Sequence, residues 1–266
     1  MRKALFFDID GTLLTEDTHE LPESAWRALE RARDLGHLVF INTGRTYGNL
    51  GNLKELLPAD GWLCGCGTYI LSEGRELYHY SIPHEQGIRL KRDIEECGLD
   101  GILEGLEGCY GRKSSWMPEI ILLKKGLDAA GTLRKETWDD DSYDFDKCYL
   151  KADAASRRQE LFARMDFMDI IDRGGDFYEC VPKGHSKAAV IERVLRIYSI
   201  SLSDAYVFGD SSNDLSMFQY AKNCVAMGKH SPVLDPYATF VTKTVEEDGI
   251  AYALEQLGII DSRERL

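Results

Sequence analysis

Apolar and polar positions follow two different textures along the chain. In its outer parts, short continuous apolar runs are each followed by an amphipathic segment. ALFF (Ala4 to Phe7) precedes PESAWRALERARDLG, HLVFINT precedes the stretch from Tyr47 to Leu57, and DAYVFG precedes DLSMFQYAKN. A run with no polar alternation reads as a strand buried on both faces. Such strands alternating with helix-period segments predict a parallel sheet covered by helices on each side. The expected class is α/β, with a Rossmann-like doubly wound core.

The middle of the chain reads differently. A helical pattern near Glu85–Cys97 is followed by β-like runs at Glu119–Leu123 and Lys147–Lys151, a helical SRRQELFARM, and then MDIIDRGGDFYECV. Gly174-Gly175 splits that last stretch into two alternating runs and predicts a hairpin, since both glycines tolerate positive φ. Residues 84–181 are therefore expected to form an α+β insertion, with Pro83 and Pro182 near its hinges. Residues 1–83 and 182–266 would form the core. The chain contains no internal repeat and no low-complexity tract.

Composition narrows the partners. A chain of 266 residues fits two domains, and 32 Lys plus Arg against 45 Asp plus Glu leave a net charge of −13. That balance argues against broad nucleic-acid binding or attachment to an anionic membrane, so an anionic substrate would need local cations. Seven cysteines without a CxxC pair indicate neither a zinc ribbon nor a disulfide framework, and a reducing cytosol is the expected location. Ala4 to Phe7 is too short for a signal-peptide core, and the uncharged stretch Gly61 to Ser72 falls short of the roughly 20 apolar residues that span a bilayer.

In open parallel sheets, ligands bind beyond the carboxyl ends of the strands. Three such ends are polar here: DIDGT (Asp8 to Thr12), INTGR (Ile41 to Arg45) and FGDSSND (Phe208 to Asp214). Asp8 and Asp10 sit two apart and can converge on one ligand, their repulsion relieved by a divalent cation such as Mg²⁺. Either acidic loop alone reads equally well as turn or capping residues. Asp210 and Asp214 at a second strand end make that plain reading hard to sustain for both. Thr43 and the amides around Gly44 can donate to an anion. Lys187 opens a helix predicted to run to Tyr198, where a cation opposes the helix dipole and calls for a compensating anion.

In order, DIDGT, the strand-end Thr43, Lys187 and GDSSND resemble the four motifs of the haloacid dehalogenase (HAD) superfamily. The position of the insertion, between Thr43 and Lys187, is similar to a C2-type cap. Ala226-Met227-Gly228 and Glu247-Asp248-Gly249-Ile250 resemble tail motifs of the Cof-type subgroup. Two stretches depart from that pattern: GCGTYI (Gly65 to Ile70) stands where relatives carry Asn-Gly-Ala, and Lys229 where Asn follows Met-Gly.

The resemblance implies a Mg²⁺-dependent phosphatase acting on a small phosphate ester, such as a sugar phosphate, a nucleotide or a cofactor phosphate. Asp8 would be the nucleophile and Asp10 the general acid and base. Asp8, Asp210 and the Asp10 backbone carbonyl would hold Mg²⁺, with Asp214 as ligand or support. Thr43, Gly44 and Lys187 would hold the phosphoryl group, and Arg45 would reach the substrate or the cap.

A phosphomutase of the same superfamily and a non-catalytic regulator that binds a phosphorylated ligand are the alternatives. Phe208-Gly209-Asp210-Ser211 also resembles the nucleophile block of GDS-type esterases, but no Asp precedes His230 by three residues and Asp8 and Asp10 would go unexplained. Cys64 and Cys66 read as buried small groups, His185 as an exposed loop residue, and Asp139-Asp140-Asp141 with Asp144 and Asp146 as a solvated face. The protein is expected to be a monomer or small homo-oligomer.

Overall fold

The computed structural model describes residues 2–261. Its strands are β1 Ala4–Phe7, β2 Leu38–Asn42, β3 Gly61–Cys64, β4 Tyr69–Ser72, β5 Arg75–His79, β6 Asp100–Glu104, β7 Cys109–Gly111, β8 Lys147–Lys151, β9 Met168–Gly174, β10 Phe177–Pro182, β11 Ala205–Gly209, β12 Asn223–Ala226 and β13 Phe240–Val241. The helices are α1 Glu23–Asp34, α2 Leu53–Leu56, α3 His84–Glu96, α4 Pro118–Ala129, α5 Arg158–Arg164, α6 Lys187–Tyr198, α7 Leu215–Tyr220 and α8 Gly249–Gln256. Among the described residues no helix is long and apolar enough to cross a membrane.

The first sheet runs β13-β12-β11-β1-β2-β3-β4-β5, parallel from β13 to β3, with an antiparallel edge at β4 and β5. Strand β1 shows why both faces are covered. Leu5 and Phe7 point to a core shared with Ala25, Leu29 and Ala32 of α1 and Ala253 and Leu254 of α8. Ala4 and Phe6 point the other way, to Val190, Ile191 and Val194 of α6 and Met217 and Phe218 of α7. The continuous apolar run is thus two alternating half-runs, each burying its own face. Phe7 stacks on Phe208 of β11 with ring centroids 4.3 Å apart, and Phe6 on Phe40 of β2 at 5.2 Å.

Chain order reverses at β1: β2 and β3 follow on one side, β11 and β12 on the other. A crevice opens at such a switch point because the loops leaving the two neighbouring strands part in opposite directions. Asp8 and Asp210 stand at those two strand ends, and Thr43 directly after β2.

The second sheet is antiparallel, in the order β7-β6-β8-β10-β9. Ile94, Leu103, Cys148, Leu150 and Cys180 form its core with α3 and α5. Its other face carries Ile102, with Ile120 and Leu127 of α4 packed nearby. The hairpin between β9 and β10 forms, but its two-residue turn is Gly175-Asp176, both with positive φ, while Gly174 closes β9 opposite Phe177.

Several expectations change. Glu119–Leu123 is helical, as part of α4, because Pro118 starts the helix and Ile120, Leu123 and Leu127 recur at helical spacing toward one core. Ile121 and Leu122 are left exposed, Leu122 by 70%. The stretch Tyr47–Leu57 is a 3₁₀ turn over Tyr47–Asn49 and the single-turn α2, broken where Gly51 takes a positive φ. Asp146 is buried rather than solvated, and accepts from Ser81 Oγ at 2.8 Å and pairs with His79 at 3.0 Å. His185 is half-buried against Tyr78 and Tyr80.

The tail glycines have a packing reason. A Cβ on Gly228 would lie 2.5 Å from Thr244 N, and one on Gly249 2.3 Å from Lys243 O, so both motifs clamp the same short backbone segment. Truncating Phe208 to Ala should cost about 3–5 kcal/mol, because it deletes a wholly buried ring stacked on Phe7. A lowered urea midpoint with an unchanged slope is the expected reading.

Candidate active site

Four polar side chains meet in the crevice, and all are buried: Asp8, Lys187, Asp210 and Asp214. Lys187 is the first residue of α6, and its Nζ lies 2.6 Å from both Asp8 Oδ1 and Asp214 Oδ1. These two carboxylates are the anions that the cation at the helix start requires. Ser186 caps the same helix, its side chain accepting from Ala189 N, so the first turn is held independently of the lysine.

Asp214 is fully engaged. Its Oδ2 accepts from the backbone of Asp210 at 2.9 Å and of Ser211 at 3.0 Å, closing a capping box over the 3₁₀ turn Ser212–Asp214. Asp210 accepts from Thr12 Oγ1 at 2.9 Å through Oδ1. Gly11 takes φ +81°, and a Cβ there would come within 2.6 Å of Asp210 Oδ2. The Gly-Thr that follows Asp10 thus serves the second acidic loop: the glycine gives room and the threonine a hydrogen bond. No hydrogen bond from any described residue reaches Asp8 Oδ2 or Asp210 Oδ2.

Oxygens of Asp8, Asp210 and Asp214 lie within 4.8 Å of one another. Burial pushes the Asp8 carboxyl well above its ordinary range; Lys187 pulls it back, and the charges of Asp214, Asp210 and Asp10 push it further up. Burial, and then Asp214, raise Asp210 from 3.8 to about 7. Burial acts to lower the Lys187 ammonium, but Asp214 and Asp8 outweigh it and hold the ammonium above its ordinary value. With all three acids ionised, one lysine among three buried carboxylates leaves net negative charge. The set consists of oxygen donors, two of them free, and fits a hard divalent cation.

Asp8, Asp10, Thr43, Gly44 and Arg45 line a cavity of about 340 Å³, while Lys187, Asp210 and Asp214 stand outside its lining. The Asp10 side chain is turned from the cluster. Arg45 grips it with two bonds, Nε to Oδ2 at 2.9 Å and Nη2 to Oδ1 at 2.5 Å. Thr43 Oγ1 accepts from Arg45 N at 3.1 Å, which leaves its own proton free to donate.

The opposite wall comes from one face of the antiparallel sheet: Ile102 and Glu104 of β6, Lys147 and Tyr149 of β8, Arg173 of β9 and Glu179 of β10. None of these was singled out from sequence. The alternation in KCYLK would place Lys147 on a solvated face, and only the fold shows that this face is covered.

A family profile for haloacid dehalogenase-like hydrolases matches residues 5–254. The chain belongs to that family. It is 30% identical to YkrA of Bacillus subtilis, named as a phosphatase, over 97% of this chain and 98% of the relative. With the B. subtilis 5-amino-6-(5-phospho-D-ribitylamino)uracil phosphatase YwtE it shares 26% identity, over 96% of this chain and 98% of that one. Among solved structures, the HAD subclass IIB sugar phosphatase BT4131 superposes with a TM-score of 0.82 at 28% identity, covering 97% of this chain and all of the other. The Cof-type subgroup, the capped HAD architecture and the class of phosphoric monoester hydrolase follow from these likenesses.

In this HAD hydrolase the acid cluster makes stability pH-dependent. With the folded-state value of Asp210 above 3.8, the native state keeps a proton that the unfolded chain has released. This contribution is fully favourable below about pH 4 and is lost as pH rises through about 7; Asp8 acts with the same sign. In metal-chelated protein, urea midpoints should fall between about pH 4 and pH 7, and Asp210→Asn should flatten that slope. An equal slope in the variant would count against the shift.

Proposed function

We propose that the protein is a Mg²⁺-dependent phosphatase that hydrolyses a small phosphate ester through a phosphorylated Asp8. What carries the reading is one cavity in which Asp8, backed by Lys187 and two further carboxylates, faces the Thr43–Arg45 loop. Asp8 attacks phosphorus in line, and the alcohol departs with the bonding electrons and a proton from Asp10. Asp10 then takes a proton from the water that attacks the aspartyl-phosphate, which frees phosphate and restores Asp8.

Both Asp10 oxygens are held by Arg45, so proton transfer requires Arg45 to let go. Arg45 is assigned to exchange Asp10 for the phosphoryl oxygens as the ester enters. Thr43 and the amides around Gly44 donate to those oxygens. Lys187 keeps Asp8 oriented and lends positive charge beside the phosphoryl group. Asp8, Asp210 and the Asp10 backbone carbonyl would hold Mg²⁺, supported by Asp214; when bound, the ion neutralises charge on the phosphoryl oxygens.

Residues 84–181 are assigned as the cap, over a core of 1–83 and 182–266. The cap face supplies hydrogen-bond acceptors at Glu104 and Glu179, an apolar strip at Ile102 and Tyr149, and in Arg173 a buried Nη1 with no partner among the described residues. A leaving group rich in hydroxyls suits that wall, whether a sugar, a nucleoside or a cofactor alcohol. Two of the relatives above are named for sugar and ribityl phosphates, which supports the same class. The seven free, buried thiols accord with a reducing cytosol.

A panel of phosphorylated metabolites, scored by phosphate release with and without Mg²⁺, tests the reading. Asp8→Asn should lower turnover of every substrate by about a thousandfold or more. Ordinary turnover of p-nitrophenyl phosphate by that variant, with Mg²⁺ present, would overturn the aspartyl-phosphate. Added Mg²⁺ should also raise the melting temperature more at pH 8 than at pH 5, because only the ionised cluster binds it strongly.

A further inference from the structure

Lys147, the lysine that lines the cavity, is only 3% exposed and begins β8 on the face that covers the site. Its register partner on β6 is Glu104, and Glu179 stands on β10, the neighbouring strand on the other side, opposite Tyr149. Its ammonium stands 2.5 Å from Glu179 Oε1 and 3.5 Å from Glu104 Oε1. Burial alone would discharge such a group; the two carboxylates outweigh it and keep the ammonium charged.

The third contact crosses the cavity: Lys147 Nζ donates to the carbonyl of Gly44 at 2.8 Å. Two of its three donors are thus hydrogen-bonded, to Glu179 and to Gly44, and the third faces Glu104 as an ion pair at 3.5 Å. The chemistry of Lys147 is directed at the loop.

The Gly44 carbonyl belongs to the same peptide group as the N–H of Arg45, and that N–H donates to Thr43 Oγ1 at 3.1 Å. Fixing and polarising one end of a peptide plane orients and strengthens the hydrogen bond at the other. With its oxygen engaged in this way, the Thr43 hydroxyl keeps its proton free to donate to an anion in the cavity it lines. The neighbouring turn is held from the same side, since Asn49 Nδ2 donates to Glu104 Oε2 at 3.1 Å. Gly48 also packs so closely on the 105–108 loop that a Cβ would fall 2.2 Å from Gly108 N.

We propose that Lys147 is a positioning residue: through the Gly44–Arg45 peptide it sets the Thr43 hydroxyl for a phosphoryl oxygen, and does so only while the cap sheet covers the core sheet. The inference rests on the assignment of Thr43 to the phosphoryl group above, and deepens it. Phosphate binding and cap closure then become one event, whatever the leaving group.

Inorganic phosphate, which has no leaving group, is the deciding probe, titrated by calorimetry into the full-length protein with Mg²⁺. Lys147→Met should weaken phosphate binding roughly tenfold, the loss expected for one hydrogen bond from a charged donor. Lys147→Arg, which can still reach the carbonyl and both carboxylates, should recover most of it. In a double-mutant cycle, Thr43→Val and Lys147→Met should combine to less than the product of their separate effects.

The triple variant Lys147→Met, Glu104→Gln, Glu179→Gln removes the stranded carboxylates. It should melt near the wild-type temperature and still bind phosphate weakly. Wild-type phosphate affinity in Lys147→Met, with only the KM of esters raised, would mean that Lys147 reads the leaving group and would overturn the proposal. Recovery of affinity in the triple variant would overturn it too. A wild-type protein that binds phosphate yet frees none from any ester would refute the phosphatase reading alone, and the binding comparison would still decide the role of Lys147.

Discussion

The ammonium of Lys187, held at 2.6 Å from Asp8 and Asp214, is the contact on which the arrangement of the crevice depends. Three carboxylates at adjacent strand ends would repel one another in a medium too poor in water to screen them. The lysine makes it possible to bury two of them, and it arrives from the first turn of α6. Removing it would leave uncompensated charge in the interior, a far larger penalty than the net worth of an intact buried pair. With its acids ionised the cluster is still short of positive charge, an arrangement that fits a hard divalent cation.

A second lysine repeats the device with the opposite emphasis. Lys147 is likewise buried and held by two carboxylates, but it sits in the antiparallel sheet and also donates to the backbone of the loop that follows β2. One lysine organises acids and the other organises a loop. Between them lie Thr43, Gly44 and Arg45, a segment tied to the core by sequence and to the cap by the Lys147–Gly44 hydrogen bond. The walls of the cavity therefore come from both sheets, and neither encloses it alone.

What the sequence made legible follows from how local each signal is. Short apolar runs ending in Asp, Thr or Gly marked β1, β2 and β11 and their carboxyl ends, because burial on both faces writes itself into consecutive residues. Lys187 was readable because a cation at a helix start is locally unfavourable and demands a partner. Lys147, Glu104 and Glu179 left no such trace: each is the polar half of an ordinary alternating strand, and only the docking of one sheet over another buries them. Glu119–Leu123 misled for a related reason, since an apolar run of that length fits a strand as well as a helix with one face inward. The pairing of Asp10 with Arg45 was equally invisible, being a choice among several partners within reach.

The place of β1 in the sheet also bears on how the chain assembles. Phe7 pairs with Phe208, so the central neighbour of the first strand is made only after the whole antiparallel sheet has left the ribosome. Contacts that join distant parts of a chain close slowly, because the loop between them must first be ordered. The segment that forms the second sheet is contiguous and can collapse early, whereas the apolar strand at the amino end waits, half-paired with β2, for a partner still being synthesised. The active cluster is then among the last features of the molecule to exist, and an interrupted or truncated chain carries Asp8 without the lysine that makes its burial tolerable.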